Sequence, residues 1–156
     1  MKLLVQRVKR AQVIAYENDD DKTGKVYGKI NNGYVVFIGI KNGDTKKEAD
    51  YLVNKLLNLR IFDDENDKLN LSILDKKGEL LLISQFTLYG DASNGNRPSF
   101  VEAMNAADAD ILYDYFCKKC EEKIHVERGY FQHKMEVSLV NDGPTTIIIE
   151  KNAKKC

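Results

Sequence analysis

The sequence has no tryptophan, two prolines, two histidines and three cysteines in 156 residues, and its charges cancel, with 24 Lys and Arg against 24 Asp and Glu. The balance of charge removes the overall basic field that announces a nucleic-acid partner, without excluding RNA. Lys46-Lys47, Lys76-Lys77, Lys118-Lys119 and Lys154-Lys155 read as short stretches of solvated surface. An odd number of cysteines confined to the last third argues against a disulfide framework. Cys117 and Cys120 form a lone C-x-x-C inside a helical pattern, with no second pair for zinc. Cys120 falls on the apolar stripe, so core packing is expected over metal or redox chemistry. No apolar run is long enough to cross a bilayer. The opening MKLLVQRVKR breaks its hydrophobics with charges too early for a secretory signal, so a cytoplasmic protein is expected.

The shortage of histidine bears on catalysis. A serine or cysteine hydrolase needs a nucleophile, a histidine and an orienting acid. His125 and His133 both lie in strand-like contexts that favour structural roles. G-x-S-x-G, H-E-x-x-H, the phosphate-binding Gly-Lys-Ser/Thr loop and the dinucleotide fingerprint are all missing. No metal and no cofactor are expected.

What is present suits one globular domain over residues 1–156, with 43% hydrophobic and 31% charged residues. Leu3–Tyr16 alternates apolar and polar residues like a long strand with one wet face. Val26–Ile30 and Tyr34–Ile40 are strands joined through Asn31-Asn32-Gly33, where Asn-Gly signals a hairpin. Thr45 with Glu48 makes a capping box, and Ala49, Leu52, Val53, Leu56, Leu57 and Arg60 follow at helical spacing, giving a helix over about 44–60. Leu69–Leu74 reads as an irregular segment. Leu80–Tyr89 is the most apolar run and is expected to be a central strand throughout, with Gln85, Thr87 and Tyr89 on one face. Those polar groups either bond within the core or face a cavity. Gly90–Phe100 is a long loop, and Asp108–Glu122 a second amphipathic helix with Ile111, Leu112, Tyr115, Phe116 and Cys120 on one face. Ile124–Val126 is a short strand, Gly129–Phe131 a turn, and His133–Val140 a strand. Asn141-Asp142-Gly143-Pro144 then reads as the end of a hairpin leading into Thr145–Ile149.

Two segments carry a resemblance. Ser84-Gln85-Phe86-Thr87-Leu88 and Asn141-Asp142-Gly143-Pro144-Thr145-Thr146 are similar to the SQFTL and NxGPxT motifs of the D-aminoacyl-tRNA deacylase family, also called D-tyrosyl-tRNA deacylases. The likeness extends through LVQRV with Gln6 and Arg7, GKI and VVFIGI, NLRIF and GNRPSF. It implies an α/β fold: a mixed, largely antiparallel sheet rolled into a barrel-like core, flanked by helices at about 44–60 and 108–122. It also implies a homodimeric hydrolase that cleaves the ester joining a D-amino acid, D-tyrosine among others, to the terminal adenosine of tRNA, and that accepts glycine.

In the same resemblance, Gly143 and Pro144 of one subunit, joined by a cis bond, enter the other subunit's site, where their carbonyls reject an L side chain by clash. Arg7 braces that turn and Asn141 belongs to its motif. Phe131 and Met135 line the adenosine pocket. For the chemistry, Thr87 is a candidate nucleophile without an evident base. The other reading gives backbone N–H groups at Phe86 and Thr87 the ester carbonyl oxygen, with Ser84 and Gln85 shaping the site and the ribose 2′-hydroxyl assisting. Two departures from the family pattern stand out: Gln132-His133 replaces Gly-Ala beside Phe131, and the Glu17–Lys25 turn is long. A nucleic-acid-binding protein on the same fold without hydrolysis is the alternative, and a Cys117-dependent redox or metal module a third reading.

Overall fold

Alternating burial along Lys2–Tyr16 makes this fifteen-residue segment the strand, β1, around which the sheet is assembled. The computed structural model describes residues 1–153; Lys154-Lys155 and Cys156 lie outside the described residues. Strands β2 (Lys25–Ile30) and β3 (Gly33–Gly39) lie end to end along one edge of β1, with Ala11 opposite Ile30 and Val8 opposite Gly33. The expected Asn-Gly hairpin is therefore corrected: β2 and β3 pair with β1, not with each other. Gly33 is needed for a different reason, because a Cβ there would stand 1.8 Å from the Glu79 carbonyl oxygen of the neighbouring strand.

That neighbour is β6 (Glu79–Ser84), parallel to β3, followed by β7 (Val126–Arg128), parallel to β6. Beyond β1 on its other edge runs β8 (Lys134–Glu150), antiparallel along nearly the whole length of β1. The sheet order is thus β2-β1-β3-β6-β7 with β8 on β1. Gly28 on β2 approaches β7 so closely that a Cβ would lie 3.0 Å from the Arg128 carbonyl, which rolls the sheet into a nearly closed barrel. The α/β, barrel-like expectation is met.

Register breaks in β1 around Val8 shift its side-chain parity, and the strand serves two cores. Leu3 and Val5 join Tyr34, Val36, Ile38, Leu80 and Leu82 under the helices. Val8, Ala11 and Val13 join Ile30, Val35, Leu81 and Ile83 inside the roll, where Met135, Val137 and Leu139 of β8 pack from the side. Helix α1 (Lys46–Leu57) starts with the expected capping box, Thr45 to Glu48, and buries Ala49, Leu52, Val53, Leu56 and Leu57. Arg60 falls beyond its end and is exposed.

Helix α2 (Ala106–Glu121) begins at Asn105, whose side chain accepts from the Asp108 N–H at 3.1 Å. Its buried stripe is Ala109, Leu112, Tyr113, Phe116, Cys117 and Cys120. This corrects the expected face, since Ile111 is 67% exposed. Burial pushes the Cys117 thiol up to about 12, and Cys120 also upward, so both remain neutral core residues. Two short strands, β4 (Phe62–Asp63) and β5 (Leu69–Leu71), pair across the charged loop, giving Leu69–Leu71 regular structure where none was expected. His125 precedes β7 and is exposed at the surface. No helix among the described residues is long and apolar enough to cross a membrane.

Gly33→Ala places a methyl group against the Glu79 backbone. Urea unfolding should show a loss of about 1–3 kcal/mol or more, the range for overpacking a rigid site.

Candidate active site

The run LLLISQFTLY does not continue as a strand to its end. β6 stops at Ser84, and Phe86–Tyr89 forms a single 3-10 turn. The last ladder bond is from Gln85 N–H to the Ile38 carbonyl, 2.8 Å. The chain then folds back over the end of β3, where Gly39 makes room: a Cβ there would be 3.0 Å from Leu88 and 3.2 Å from the Tyr89 ring. Gln85 and Thr87 are consequently not aligned on one strand face. The Gln85 side-chain amide donates to the Thr87 hydroxyl, and Tyr89 is buried with its hydroxyl 3.3 Å from Glu150 Oε1.

The turn leaves a chemical opening. Its first internal bonds run from Leu88 N–H to Gln85 O, 3.3 Å, and from Gly90 N–H to Thr87 O, 2.9 Å. The N–H groups of Phe86 and Thr87 have no protein acceptor among the described residues, as is usual for the first donors of a helical turn. Ser84, Gln85 and Phe86 border a cleft of about 650 Å³. Its other walls are Ile38 and Ile40 from β3 and its end, Met104, Ala106 and Ala109 around the start of α2, and Phe131, Gln132, His133, Met135 and Val137.

The structure therefore brings Ser84, Gln85, Phe86, Phe131 and Met135 together at one cleft, with Thr87 next to it. Below this surface the Tyr113 hydroxyl donates to the Leu82 carbonyl at 2.8 Å, and burial raises its pKa. The Phe131 ring packs 5.7 Å from Tyr113. Gln132 adopts φ 60°, which turns the chain sharply and brings His133 to the cleft. Sequence reasoning missed Ile38, Ile40, Met104 and Ala109, which look like ordinary core residues until three separate elements converge.

Gly143, Pro144, Asn141 and Arg7 do not border this cleft. Asn141 lies six residues past Met135 on β8, roughly 20 Å at the rise of an extended strand, with Gly143 and Pro144 just beyond it and Arg7 opposite them on β1. The expected hairpin is corrected here as well. Val137–Val140 and Thr146–Ile149 belong to one strand and pair with β1 rather than with each other. Val8 pairs with Asn141 and Gln6 with Thr146, so the four residues 142–145 are pushed out opposite Arg7. The Gly143–Pro144 peptide is cis, and both residues are exposed.

Internal bonds hold this loop. Asn141 Oδ1 accepts from the Thr145 N–H at 3.0 Å, and its amide nitrogen donates to Thr146 Oγ1 at 3.0 Å. Gly143 has φ 120°, and a Cβ would lie 2.6 Å from Thr145 Oγ1. Arg7 is the anchor. It is 5% exposed, donates through Nη1 to the Ile61 carbonyl at 2.8 Å and to Asp63 Oδ2 at 3.1 Å, and donates through Nε to the Asp142 carbonyl at 3.2 Å. Among the described residues no group of three or more His, Cys, Asp or Glu is placed to hold a metal ion.

A rolled mixed sheet with two helices packed on it defines a fold class, and solved structures share that fold. One, described as a probable eukaryotic D-amino acid tRNA deacylase, has the same fold at TM-score 0.78 and 18% identity, covering 95% of this chain and 97% of its own. Another, a c-Myc DNA unwinding element binding protein, superposes at TM-score 0.88 with 38% identity, covering 98% of this chain and 100% of its own. Residues 4–150 match the family described as D-Tyr-tRNA(Tyr) deacylase. The D-aminoacyl-tRNA deacylase of Clostridium tetani is 50% identical over 151 residues, and that of Kosmotoga olearia 49% over 150, each covering 96% of this chain and 97% of the relative. The chain belongs to the D-Tyr-tRNA(Tyr) deacylase family, whose members are hydrolases.

Arg7→Ala strips the loop and the Ile61 carbonyl of their buried donor. Chemical denaturation should register a loss of about 2–4 kcal/mol, with Arg7→Lys recovering only part because a lysine cannot fork between the acceptors.

Proposed function

We propose that this chain hydrolyses the ester between a D-amino acid and the 3′-terminal adenosine of tRNA, releasing free D-amino acid and tRNA. The observation that carries this reading is the pair of unpartnered N–H groups at Phe86 and Thr87 beside the cleft. They suit an ester carbonyl oxygen whose negative charge grows as water attacks the carbonyl carbon. The acyl C–O bond then breaks toward the ribose, and the proton goes to the departing ribose oxygen. The neighbouring 2′-hydroxyl assists this transfer. Thr87 is a positioning group, since its hydroxyl accepts from the Gln85 side-chain amide and, among the described residues, no histidine or carboxylate hydrogen-bonds to it. Gln85 and Ser84 shape the floor, while Phe131 and Met135 receive the adenosine, an aromatic face being a natural partner for a base.

The chain acts as a homodimer of single domains, 1–156, in the cytoplasm where aminoacyl-tRNA is found. Within one chain the Gly143-Pro144 loop stands too far along β8 to reach its own cleft, which supports delivery to the partner's. There its carbonyls face the substrate α-carbon: an L side chain meets them, a D side chain points away, and glycine, also a substrate, has nothing to reject. A wall made of backbone acts on chirality without regard to side-chain identity. Arg7 and Asn141 hold it rigid, which a filter by clash requires. No metal or cofactor takes part.

The name of the DNA unwinding element binding protein favours a second reading, nucleic-acid binding on this fold without hydrolysis. Incubation with D-Tyr-tRNA and L-Tyr-tRNA separates the two: loss of the D ester alone is expected, whereas equal rates or no loss of either defeats the chiral-editing reading. In the same assay Pro144→Ala should admit measurable L-Tyr-tRNA hydrolysis, and unchanged selectivity would remove the loop from the filter.

Thr87→Ala should retain substantial activity, within about tenfold of the parent, because backbone donors and the RNA hydroxyl remain. Near-complete loss with intact substrate binding would reinstate threonine as the nucleophile.

A further inference from the structure

Three aromatic rings stack in a row whose inner end, His133, borders the cleft. Tyr130, in the turn between β7 and β8, lies parallel to Tyr27 of β2, with centroids 4.8 Å apart and planes within 9°. On its other side it lies parallel to His133, at 3.6 Å and 13°. A turn bond from His133 N–H to the Tyr130 carbonyl, 3.2 Å, closes this segment, and the φ of 60° at Gln132 brings both rings to one side. The imidazole is further fixed by Nδ1, which lies 2.9 Å from the Phe131 carbonyl; a carbonyl can only accept, so Nδ1 carries the proton. This ladder does nothing for the core, since Tyr27 is 51% exposed and Tyr130 37% exposed. His133, the inner rung, has one face against Tyr130 and itself borders the cleft.

We propose that the Tyr27–Tyr130–His133 ladder is a stacking platform for the penultimate base of the substrate's single-stranded 3′ end. The inference rests on the deacylase reading, in which the cleft holds the terminal aminoacyl-adenosine. The RNA must leave that cleft through its mouth, and the next base is then unpaired and one nucleotide away. Every base offers a π-face, so a rigid aromatic stack binds it without selecting sequence, which suits an enzyme acting on many tRNAs. Three rings already in register lose little freedom on binding. The net charge is zero, so attachment by stacking adds to what Lys134, the one lysine lining the cleft, can supply.

Two measurements on the full chain test this. In the first, KM is compared for D-Tyr-tRNA and for D-tyrosyl-adenosine, which lacks the penultimate nucleotide. His133→Ala, which removes the ring at the cleft, should shrink the preference for the tRNA about tenfold, a typical consequence of losing one base stack; Tyr130→Ala, which removes the ring behind it, should shrink it less, and Tyr130→Phe should restore it. An unchanged preference in the folded alanine variants overturns the proposal. In the second, a short 3′-terminal RNA without an amino acid carries 2-aminopurine at the penultimate position, and its fluorescence is followed. Quenching by the parent, lost in His133→Ala, supports the platform; quenching equal to that of a probe placed five nucleotides upstream overturns it. Failure of the parent to deacylate either ester defeats the deacylase reading instead, and is distinguished by the RNA probe, which requires no chemistry.

Discussion

The antiparallel pairing of β8 with β1 fixes more of this molecule than any other contact. β8 spans seventeen residues and β1 fifteen, and where their register holds and where it breaks sets the place of Met135, Val137 and the Gly143-Pro144 loop. At one end the pairing presents Met135 and Val137 to the cleft. Farther along it fails over four residues before resuming at Thr146, and the failure produces the exposed Gly143-Pro144 loop. One strand thus carries both the extruded loop and a wall of the cleft.

Arg7 explains how such a break is tolerated. Arg7, the β1 residue opposite the extruded segment, fills the space with a buried guanidinium that collects acceptors from three places: the Ile61 carbonyl, the Asp63 carboxylate and the Asp142 carbonyl. Phe62 places its ring 5.9 Å from the cation. The small β4–β5 pair, which looks dispensable in the sequence, is the support for this arrangement.

Legibility in the sequence followed the range of the forces involved. The capping box at Thr45 and Glu48 and the long alternation of β1 are local, and both are realised. The two misread turns were local signals with distant causes. Gly33 answers to the Glu79 backbone, and Asn141–Pro144 is flanked by segments that pair with a third strand. The apolar run ending in Tyr89 gives no hint that Gly39, fifty residues earlier, lets the chain turn back after Ser84. Both hallmark segments could be found in the sequence, but the cleft that Ser84, Gln85 and Phe86 share with Ile38, Met104 and Ala109 could not, since three elements contribute to it.

The extruded loop is bounded on both sides by fixed pairs, Val8 with Asn141 and Gln6 with Thr146. The loop already sets four residues of β8 against the single β1 residue Arg7, and the pairs on either side still hold. A further residue between them would lengthen the extrusion and leave Ile147 and Ile149 packed on the helical core. The sheet therefore tolerates changes of length here, and what limits them is where the tip of the loop must stand.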